Sequence, residues 1–293
     1  MKITKAIIPV AGFGTRFLPI TKALPKAMLP VIDKPVIHYL VEEAVASGIE
    51  EIIIVVGENK KGIEDYFNRS AELEGVLRQT GKQEMLAMTR TISEMAKISY
   101  ITQTQPLGLG HAIYCAKDAI TQGETFAVLL GDDLVITKNK PCLAQLIDAA
   151  KKYSANVVGV QQVPDEMVSC YGIASGTALT TKLIKVEDMV EKPDIKDVSS
   201  NLAMMGRYVI HSDIFEILEC VTPGKGGEIQ LTDALKVLNR KQEIYARIIE
   251  GTRYDVGDKL GFLKATTKLA LEKEGLGIDY KRYLLELLNK ESD

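Results

Sequence analysis

The sequence contains no tryptophan, three histidines and four cysteines among its 293 residues. Cys115, Cys142, Cys170 and Cys220 form no C-x-x-C pair, which argues against a disulfide framework or a zinc site. No stretch approaches the ~18 apolar residues of a membrane helix, and the apolar run after Met1 is too short for a signal-peptide core. We therefore expect a cytoplasmic protein with reduced, mostly buried thiols and no membrane partner.

The sequence also carries little net charge. The formal charge is -3, and the hydrophobic and charged fractions, 46% and 26%, are ordinary for a globular protein. A nucleic-acid-binding protein usually carries a clear basic excess, so we predict no nucleic-acid partner. The length allows one large α/β domain or two small ones.

Against this background, the stretch 11–30 (AGFGTRFLPITKALPKAMLP) stands apart, because it has three cations and no acidic residue. It follows the apolar run 6–10, which predicts a buried first strand. Gly12 and Gly14 can adopt positive φ and let backbone N–H groups approach an anion. Arg16 and Lys26 add positive charge suited to phosphates. The pattern favours a nucleoside triphosphate site.

Other interpretations of this stretch are weaker or less specific. A dinucleotide fingerprint needs a small residue where this sequence has Phe17. The nearest approach to a P-loop, from Gly75 to Lys82, has one residue too many. A plain glycine turn with solvated lysines is about as compatible with G-x-G alone as a phosphate site.

The longer motif is more specific. The string G-x-G-T-R-x-L-P-x-T-K-x-x-P-K-x-M-L-P, followed by Asp33-Lys34-Pro35, resembles the signature of the sugar-1-phosphate nucleotidylyltransferases. Within that family it is most similar to the branch that uses UTP and glucose 1-phosphate, and later motifs extend the resemblance over nearly the whole chain.

The resemblance implies an α/β, Rossmann-like nucleotidyltransferase fold: a mixed, mostly parallel central sheet flanked by helices, with a β-rich sugar-binding half. Strand and helix patterns alternate up to about residue 165 and then give way to strands and loops. Because no linker-like run separates the halves, we predict one domain, 1–293. It comprises a nucleotide-binding half (1–165), a sugar-binding half (166–257) and C-terminal helices (258–293), with a terminal apolar stripe that more often marks core than an oligomer contact.

A second motif, QTQPLGLGHA at 103–112, places two glycines between a predicted strand and a helix. Gln103 offers the donor and acceptor that a uracil edge requires. By itself the stretch is more typical of a glycine-rich turn with an exposed Gln, but the resemblance assigns Gln103 and the Gly108 backbone to the base. The implied nucleotide-binding residues are Ala11, Gly12, Gly14, Thr15, Arg16, Lys26, Gln103 and Gly108.

Carboxylates follow the apolar run 126–130. Such a strand end faces the ligand crevice of an α/β sheet. Asp132 matches the family's magnesium-binding aspartate, and one or two carboxylates plus phosphates suit Mg²⁺. The resemblance also implies a metal role for Asp255, more weakly, whereas we expect Asp133 to face solvent or cap the next segment.

Further family matches lie at Tyr171-Gly172, 190–193 and 206–208. The resemblance implies that Glu191 accepts hydrogen bonds from glucose hydroxyls and that Lys192 contacts the sugar phosphate. The implied sugar-binding residues are Asp132, Gly172, Glu191, Lys192 and Gly206, and the catalytic residues are Arg16, Lys26, Asp132 and Lys192. For Glu228, Gln230 and Asp233 helix capping ranks slightly above a role in the site.

The implied reaction transfers uridylyl from UTP to glucose 1-phosphate by Mg²⁺-assisted in-line attack on the α-phosphorus, giving UDP-glucose and pyrophosphate. Alternatives are a thymidylyl-, adenylyl- or cytidylyltransferase, or a nucleotide-binding regulator without catalysis; Phe17 disfavours an NAD-dependent oxidoreductase. A homodimer or homotetramer is also implied.

Overall fold

The computed structural model describes residues 1–58 and 61–290. Within these residues there are thirteen strands. They are β1 (Lys5–Pro9), β2 (Pro30–Val31), β3 (Lys34–Pro35), β4 (Glu51–Val56), β5 (Lys97–Thr102), β6 (Thr125–Leu129), β7 (Asp133–Ile136), β8 (Asn156–Gln162), β9 (Gly172–Thr180), β10 (Leu183–Glu191), β11 (Leu202–His211), β12 (Ile244–Ile248) and β13 (Thr252–Asp255).

Ten α-helices lie in the same described part of the chain. They are α1 (Val36–Ala46), α2 (Lys61–Phe67), α3 (Ala71–Gln79), α4 (Gln83–Ser93), α5 (Leu109–Tyr114), α6 (Cys142–Tyr153), α7 (Ile214–Cys220), α8 (Leu231–Leu238), α9 (Lys259–Glu272) and α10 (Gly277–Lys290). No helix of residues 1–58 and 61–290 has the length and apolar character needed to span a membrane.

Nine of the described strands form one sheet in the order β5-β4-β1-β6-β11-β8-β12-β10-β9. The strands of the first half, β5, β4, β1 and β6, pair in parallel, and the inner three, β4, β1 and β6, are largely buried, whereas the edge strand β5 is partly exposed. Ile7 and Ile8 are both fully buried but belong to different cores. Helices α1 and α6 contribute to one core and α5, α7 and α8 to the other, so the sheet is covered on both sides.

The second half joins the same sheet but reverses strand direction. Strand β11 is antiparallel to β6, β8 and β9, and β10 is antiparallel to β9 and β12. A short turn joins β9 to β10, and such a connection permits only antiparallel neighbours. The sheet is therefore mixed, with parallel pairing concentrated in the first half, and the expectation of a mostly parallel sheet was too strong.

The helix ends show how local contacts set element bounds. Gly75 lies inside α3, the break between α2 and α3 falls at 68–70, and Gly81, at φ 71°, separates α3 from α4. Asp33 pairs with Lys273 and does not cap α1. The expected capping role for Glu228, Gln230 and Asp233 is wrong: no side chain caps α8, and the Gln230 amide donates to Lys225 O at 3.0 Å.

Two expectations about burial also fail. Only Cys142 of the four free cysteines is buried, and Cys170 and Cys220 are exposed. The apolar stripe of α10 is not core, since Tyr283 and Leu287 are 57% and 42% exposed. Helix α10 packs against α9, and much of that stripe faces outward.

Candidate active site

The glycine loop after β1 is held in a compact shape by its own contacts. Gly14 has left-handed backbone angles (φ 62°, ψ 35°), and its carbonyl accepts a hydrogen bond from Thr21 Oγ1 at 2.8 Å. A Cβ on Gly14 would lie 3.0 Å from both Lys26 Cβ and Thr21 Cγ2. Glycine is thus required at position 14, whereas Gly12 has neither positive φ nor a crowding neighbour.

A cleft of about 530 Å³ opens beside this loop, at the carboxyl ends of β1 and β6. This volume is in the range of small-molecule sites. Residues from widely separated motifs line it, including the predicted Ala11, Gly12, Gly14, Thr15, Lys26, Gln103, Gly108 and Asp132. Glu228, which the sequence assigned to capping, also lines this cleft.

One wall of the cleft is the junction between β5 and α5. Gly108 has φ 103°, and a Cβ there would lie 2.6 Å from Glu228 Cβ. The loop is tied down by Ile229, whose N–H donates to Leu107 O and whose carbonyl accepts from Gly110 N, both at 2.8 Å. Close packing of two backbones therefore explains the glycine here.

Gln103, at the end of the same strand, is nearly buried. Its Nε2 lies 3.2 Å from Gly108 O and 2.9 Å from His111 Nδ1. These contacts fix the plane of the amide at the cleft wall. The second contact also holds the His111 ring in the first turn of α5.

The opposite side of the cleft carries an ion pair. Lys26 Nζ lies 2.8 Å from Asp132 Oδ2, and Asp132 follows β6 as predicted. Burial favours the protonated form of Asp132, but Lys26, through its charge and hydrogen bond, and Arg253 outweigh it and hold the pKa below its usual value. Asp132 is therefore an anion at neutral pH.

Asp132 and Asp255 meet at Gly257. A Cβ on Gly257 would lie 2.8 Å from Asp255 Oδ1 and 2.9 Å from Asp132 Oδ2, so the two carboxylates border one small space. A pair of carboxylates suits Mg²⁺, which is commonly bound by one or two carboxylates together with phosphate and water. In residues 1–58 and 61–290 there is no cluster of three or more acidic, histidine or cysteine side chains that could bind a metal, so these two carboxylates are the candidate metal ligands.

Asp133 is not exposed, contrary to expectation; its side chain is 6% exposed and buried in the core. Arg253 Nε donates to Asp133 Oδ1 at 2.6 Å, and Arg207 Nη2 donates to the Asp133 backbone carbonyl at 2.8 Å. Burial raises the pKa of Asp133 to about 6, with Asp132 adding to the rise and Arg253 opposing it.

The predicted sugar-side residues form a separate group on β9 and β10. Gly172 pairs with Glu191, and Thr232 Oγ1 donates to Glu191 Oε2 at 2.6 Å. Lys192 follows with φ 45° and donates its N–H to Tyr171 O at 3.0 Å. Gly206 lies apart from them, against Asp133, where a Cβ would come 2.3 Å from Oδ2.

Some predicted residues thus lie outside the 530 Å³ cleft. Arg16 is exposed on the 3₁₀ turn Thr15–Phe17 beside it. Asp255 adjoins the cleft through Asp132, and Gly206 lies against Asp133, whereas Gly172, Glu191 and Lys192 lie apart, on β9 and at the end of β10. Thr232, Arg253 and the lining role of Glu228 were not predicted from the sequence. Thr232 and Glu228 lie in the segment 223–233 whose polar residues could have indicated a site, but a lone arginine on a strand carries no pattern.

The fold and the site define a nucleotidyltransferase. The sequence profile described as "Nucleotidyl transferase" matches residues 5–272, and the chain belongs to this family. At the level of individual proteins, it is 50% identical over 99% of its length to the UTP--glucose-1-phosphate uridylyltransferase YngB of Bacillus subtilis (strain 168), covering 97% of that relative. A second B. subtilis relative, named UTP--glucose-1-phosphate uridylyltransferase, is also 50% identical over 99% of both chains.

Solved structures give the same result. A UTP-bound UGPase from Acinetobacter baumannii has a TM-score of 0.90 at 41% identity, with 98% of this chain and all of that chain covered. A UDP-glucose pyrophosphorylase complexed with UDP-glucose has a TM-score of 0.85 at 44% identity, covering 93% of this chain and all of that one.

Proposed function

We propose that this chain transfers a uridylyl group from UTP to glucose 1-phosphate, giving UDP-glucose and pyrophosphate. The observation that carries the proposal is the cleft that joins the glycine loop and Lys26 to Gln103, Gly108 and Asp132. Relatives named for this activity match the chain over nearly its whole length at 50% identity, which supports it.

The reaction requires two polyanions to be brought together. The sugar phosphate is already an anion at neutral pH, so it can attack the α-phosphorus of UTP in line without a general base. Catalysis is then positioning plus electrostatic stabilisation. Arg16 and Lys26 hold the triphosphate and the leaving pyrophosphate, and Lys192 neutralises the attacking phosphate.

Base and sugar are bound at opposite sides of this centre. Gln103 and the Gly108 backbone bind the uracil edge at the cleft wall. Gly172, Glu191 and Gly206 bind the glucose, with Thr232 orienting the Glu191 carboxylate. Uracil and thymine differ by one methyl group, which a pocket separates by only ~1–3 kcal/mol, so modest use of dTTP is expected.

Asp132 and Asp255 are the residues that would hold Mg²⁺. The bound ion supplies a Lewis acid for phosphate oxygens and offsets their charge. Asp132 is suited to this because it is ionised at neutral pH. It also lies 2.8 Å from the Lys26 ammonium, which binds the phosphates in this proposal.

We further propose the arrangement of the chain around this site. Residues 1–165 form the nucleotide-binding half, 166–257 the sugar-binding half, and 258–293 the C-terminal helices. A cytoplasmic homodimer or homotetramer is proposed as the working form, which sedimentation equilibrium would distinguish.

The test is to incubate the purified protein with Mg²⁺, glucose 1-phosphate and each of UTP, dTTP, CTP and ATP, and to follow pyrophosphate release. Fastest release with UTP, none without glucose 1-phosphate, and UDP-glucose as the product are expected. Preference for another nucleotide would move the assignment to a different branch of the family. No release with any nucleotide would overturn the proposal in favour of a non-catalytic nucleotide binder.

A further inference from the structure

Arg253, on β13, is a largely buried cation whose guanidinium has three partners. Its side chain is 13% exposed. Nε donates to Asp133 Oδ1 at 2.6 Å, and Nη1 donates to the Tyr171 hydroxyl at 3.0 Å. The guanidinium carbon also lies 5.0 Å from the centre of the Tyr171 ring, and Nη2 lies 3.7 Å from Asp255 Oδ2.

These partners belong to two different parts of the site. Asp133 follows Asp132 directly and pairs with Asp255 across β7 and β13, so both contacts lie on the side of the metal-binding carboxylates. Tyr171 lies on the sugar side, because it precedes Gly172 and its carbonyl accepts the N–H of Lys192 at 3.0 Å. One planar group therefore connects both sides.

The carboxylate end of this connection is anchored in the core. The Asp133 carbonyl accepts from Arg207 Nη2 at 2.8 Å, and Arg207, which is fully buried, forms a two-point ion pair with Glu43 at 2.9 and 2.7 Å. The Asp133 carboxylate also lies against Gly206 too closely for a Cβ. Asp133 is thus fixed from several directions, and it fixes Arg253 in turn.

We propose that Arg253 is a positioning residue that sets the separation between the metal-binding carboxylates and the segment that binds the sugar phosphate. The inference rests on the proposed function and deepens it. In-line transfer depends on that separation, because Lys192 binds the attacking phosphate, whereas the groups around Asp132 bind the phosphates of UTP. An error of about 1 Å between reacting groups can cost roughly a hundredfold in rate.

The chemistry of arginine explains the choice of residue. A guanidinium donates in several fixed directions within one plane, whereas a lysine ammonium is a compact charge on a flexible stem. Arg253→Lys therefore keeps the charge beside Asp133 but cannot also bind the Tyr171 hydroxyl in the same geometry. Tyr171→Phe removes only the hydroxyl and keeps the ring under the guanidinium.

Arg247 on β12, the strand that precedes β13 in the chain, provides the matched control. Its side chain is 16% exposed, and it donates to Ile248 O at 2.7 Å and to Glu250 Oε1 at 2.8 Å, away from the site. The experiment compares Arg253→Lys, Tyr171→Phe and Arg247→Lys by steady-state kinetics, by thermal unfolding, and by calorimetric binding of UDP-glucose in the presence of EDTA.

We expect kcat of Arg253→Lys to fall by about tenfold to a hundredfold, and KM for glucose 1-phosphate to rise. For Tyr171→Phe, KM for glucose 1-phosphate should rise by about tenfold, the loss of one charged hydrogen bond, with KM for UTP unchanged. UDP-glucose should bind more weakly to both. Arg247→Lys should alter thermal unfolding only.

The proposal is overturned if Arg253→Lys and Tyr171→Phe keep wild-type kinetics and binding, or if they change only thermal unfolding as the control does. If Arg253→Lys does not fold, the kinetics and UDP-glucose binding of Tyr171→Phe alone test the proposal. Absence of transferase activity in the wild type would refute the proposed function instead, and UDP-glucose binding would still test the role of Arg253.

Discussion

Lys26 and Asp132 lie 106 positions apart in the chain, yet their charged groups are 2.8 Å apart at the mouth of the cleft. The 3₁₀ turn Lys26–Met28 presents the ammonium, and the end of β6 presents the carboxylate. The ion pair connects the segment after the glycine loop to the end of β6. In the proposed function its cation faces the phosphates and its anion faces the metal ion.

Lys26→Ala should weaken the use of UTP. In the proposed function the variant lacks a phosphate contact, and such a loss costs ~3 kcal/mol, or roughly a hundredfold in kcat/KM for UTP. The measurement is initial-rate kinetics with UTP varied at saturating glucose 1-phosphate. Lys5→Ala is the matched control, since Lys5 is also partly buried and paired, at 3.0 Å from Glu124, but far from the cleft. Equal losses in both variants would contradict the assignment.

Lys192→Ala should show the opposite substrate dependence. Its side chain is half exposed and 3.6 Å from Glu191 Oε1, on the sugar side of the site. We expect KM for glucose 1-phosphate to rise while KM for UTP stays near the wild-type value, because the lost charge faces the attacking phosphate. The same initial-rate assay with each substrate varied in turn measures this. If Lys192→Ala impaired UTP use and Lys26→Ala impaired glucose 1-phosphate use, the two roles would have to be exchanged.

Gly108→Ala should damage nucleotide binding beyond the cost of its backbone strain. Gly108 (φ 103°) and Gly123 (φ 83°) both have positive φ, but only the Cβ added at Gly108 meets neighbours, at 2.6 Å from Glu228 Cβ; at Gly123 nothing lies within 4 Å. Positive φ strains both variants, and at Gly108 the angles φ 103° and ψ 179° fall in a region that is essentially restricted to glycine, a cost of ~1–3 kcal/mol. Titration with UTP should show weakened binding for Gly108→Ala alone. Similar affinities in the two variants would mean that the Gly108 loop does not shape the site.

The parts of this structure that the sequence predicts well depend on local pattern. The apolar runs around Ile7, Ile53 and Val128 are fully buried central strands, as expected from their lack of alternation. The glycine loop shows the predicted bend at Gly14. Phe17, the residue that disfavours a dinucleotide fingerprint, packs edge-on against Phe262 with ring centres 5.6 Å apart. That position serves helix packing.

The parts that the sequence does not predict depend on distant partners. Asp133 is next to Asp132, and no local signal shows that its partner is Arg253, 120 positions later. The apolar stripe of α10 has core-like spacing, but burial requires a facing element, and α9 covers only part of it. The direction of β11 likewise depends on pairing partners that are distant in sequence, since β11 is antiparallel to β6 and to β9.

Removal of divalent metal should abolish turnover, and Mg²⁺ should restore it. Asp255→Asn should then raise the Mg²⁺ concentration required for half-maximal rate by at least about tenfold, the lower end of what even an outer partner of a metal site contributes. Asp258→Asn is a suitable control because Asp258 caps α9, accepting from Leu260 N at 2.8 Å, and asparagine caps equally well. An unchanged Mg²⁺ requirement in Asp255→Asn would remove Asp255 from the metal site.

Acid stability should depend on Glu74, on the outer helical hairpin of α3 and α4. Arg69, through its hydrogen bond, lowers the pKa of Glu74 from 4.5 to about 2, with Arg90 adding to the shift against a smaller opposing effect of burial. A carboxyl with a depressed pKa in the folded state stabilises the protein above its unfolded pKa and loses this effect as pH falls. Glu74→Gln should therefore unfold at a lower temperature than the wild type at pH 7, and the difference should shrink between about pH 4.5 and 2.

Thermal unfolding of both proteins across that pH range, followed by circular dichroism, provides the measurement. Glu84→Gln serves as the control, because Glu84 lies in the first turn of α4 and its side chain is exposed. Its unfolding temperature should differ little from the wild type at either end of the range. A difference for Glu74→Gln that stayed constant down to pH 2 would show that lost packing, and not the arginine pairing, accounts for the effect of the substitution.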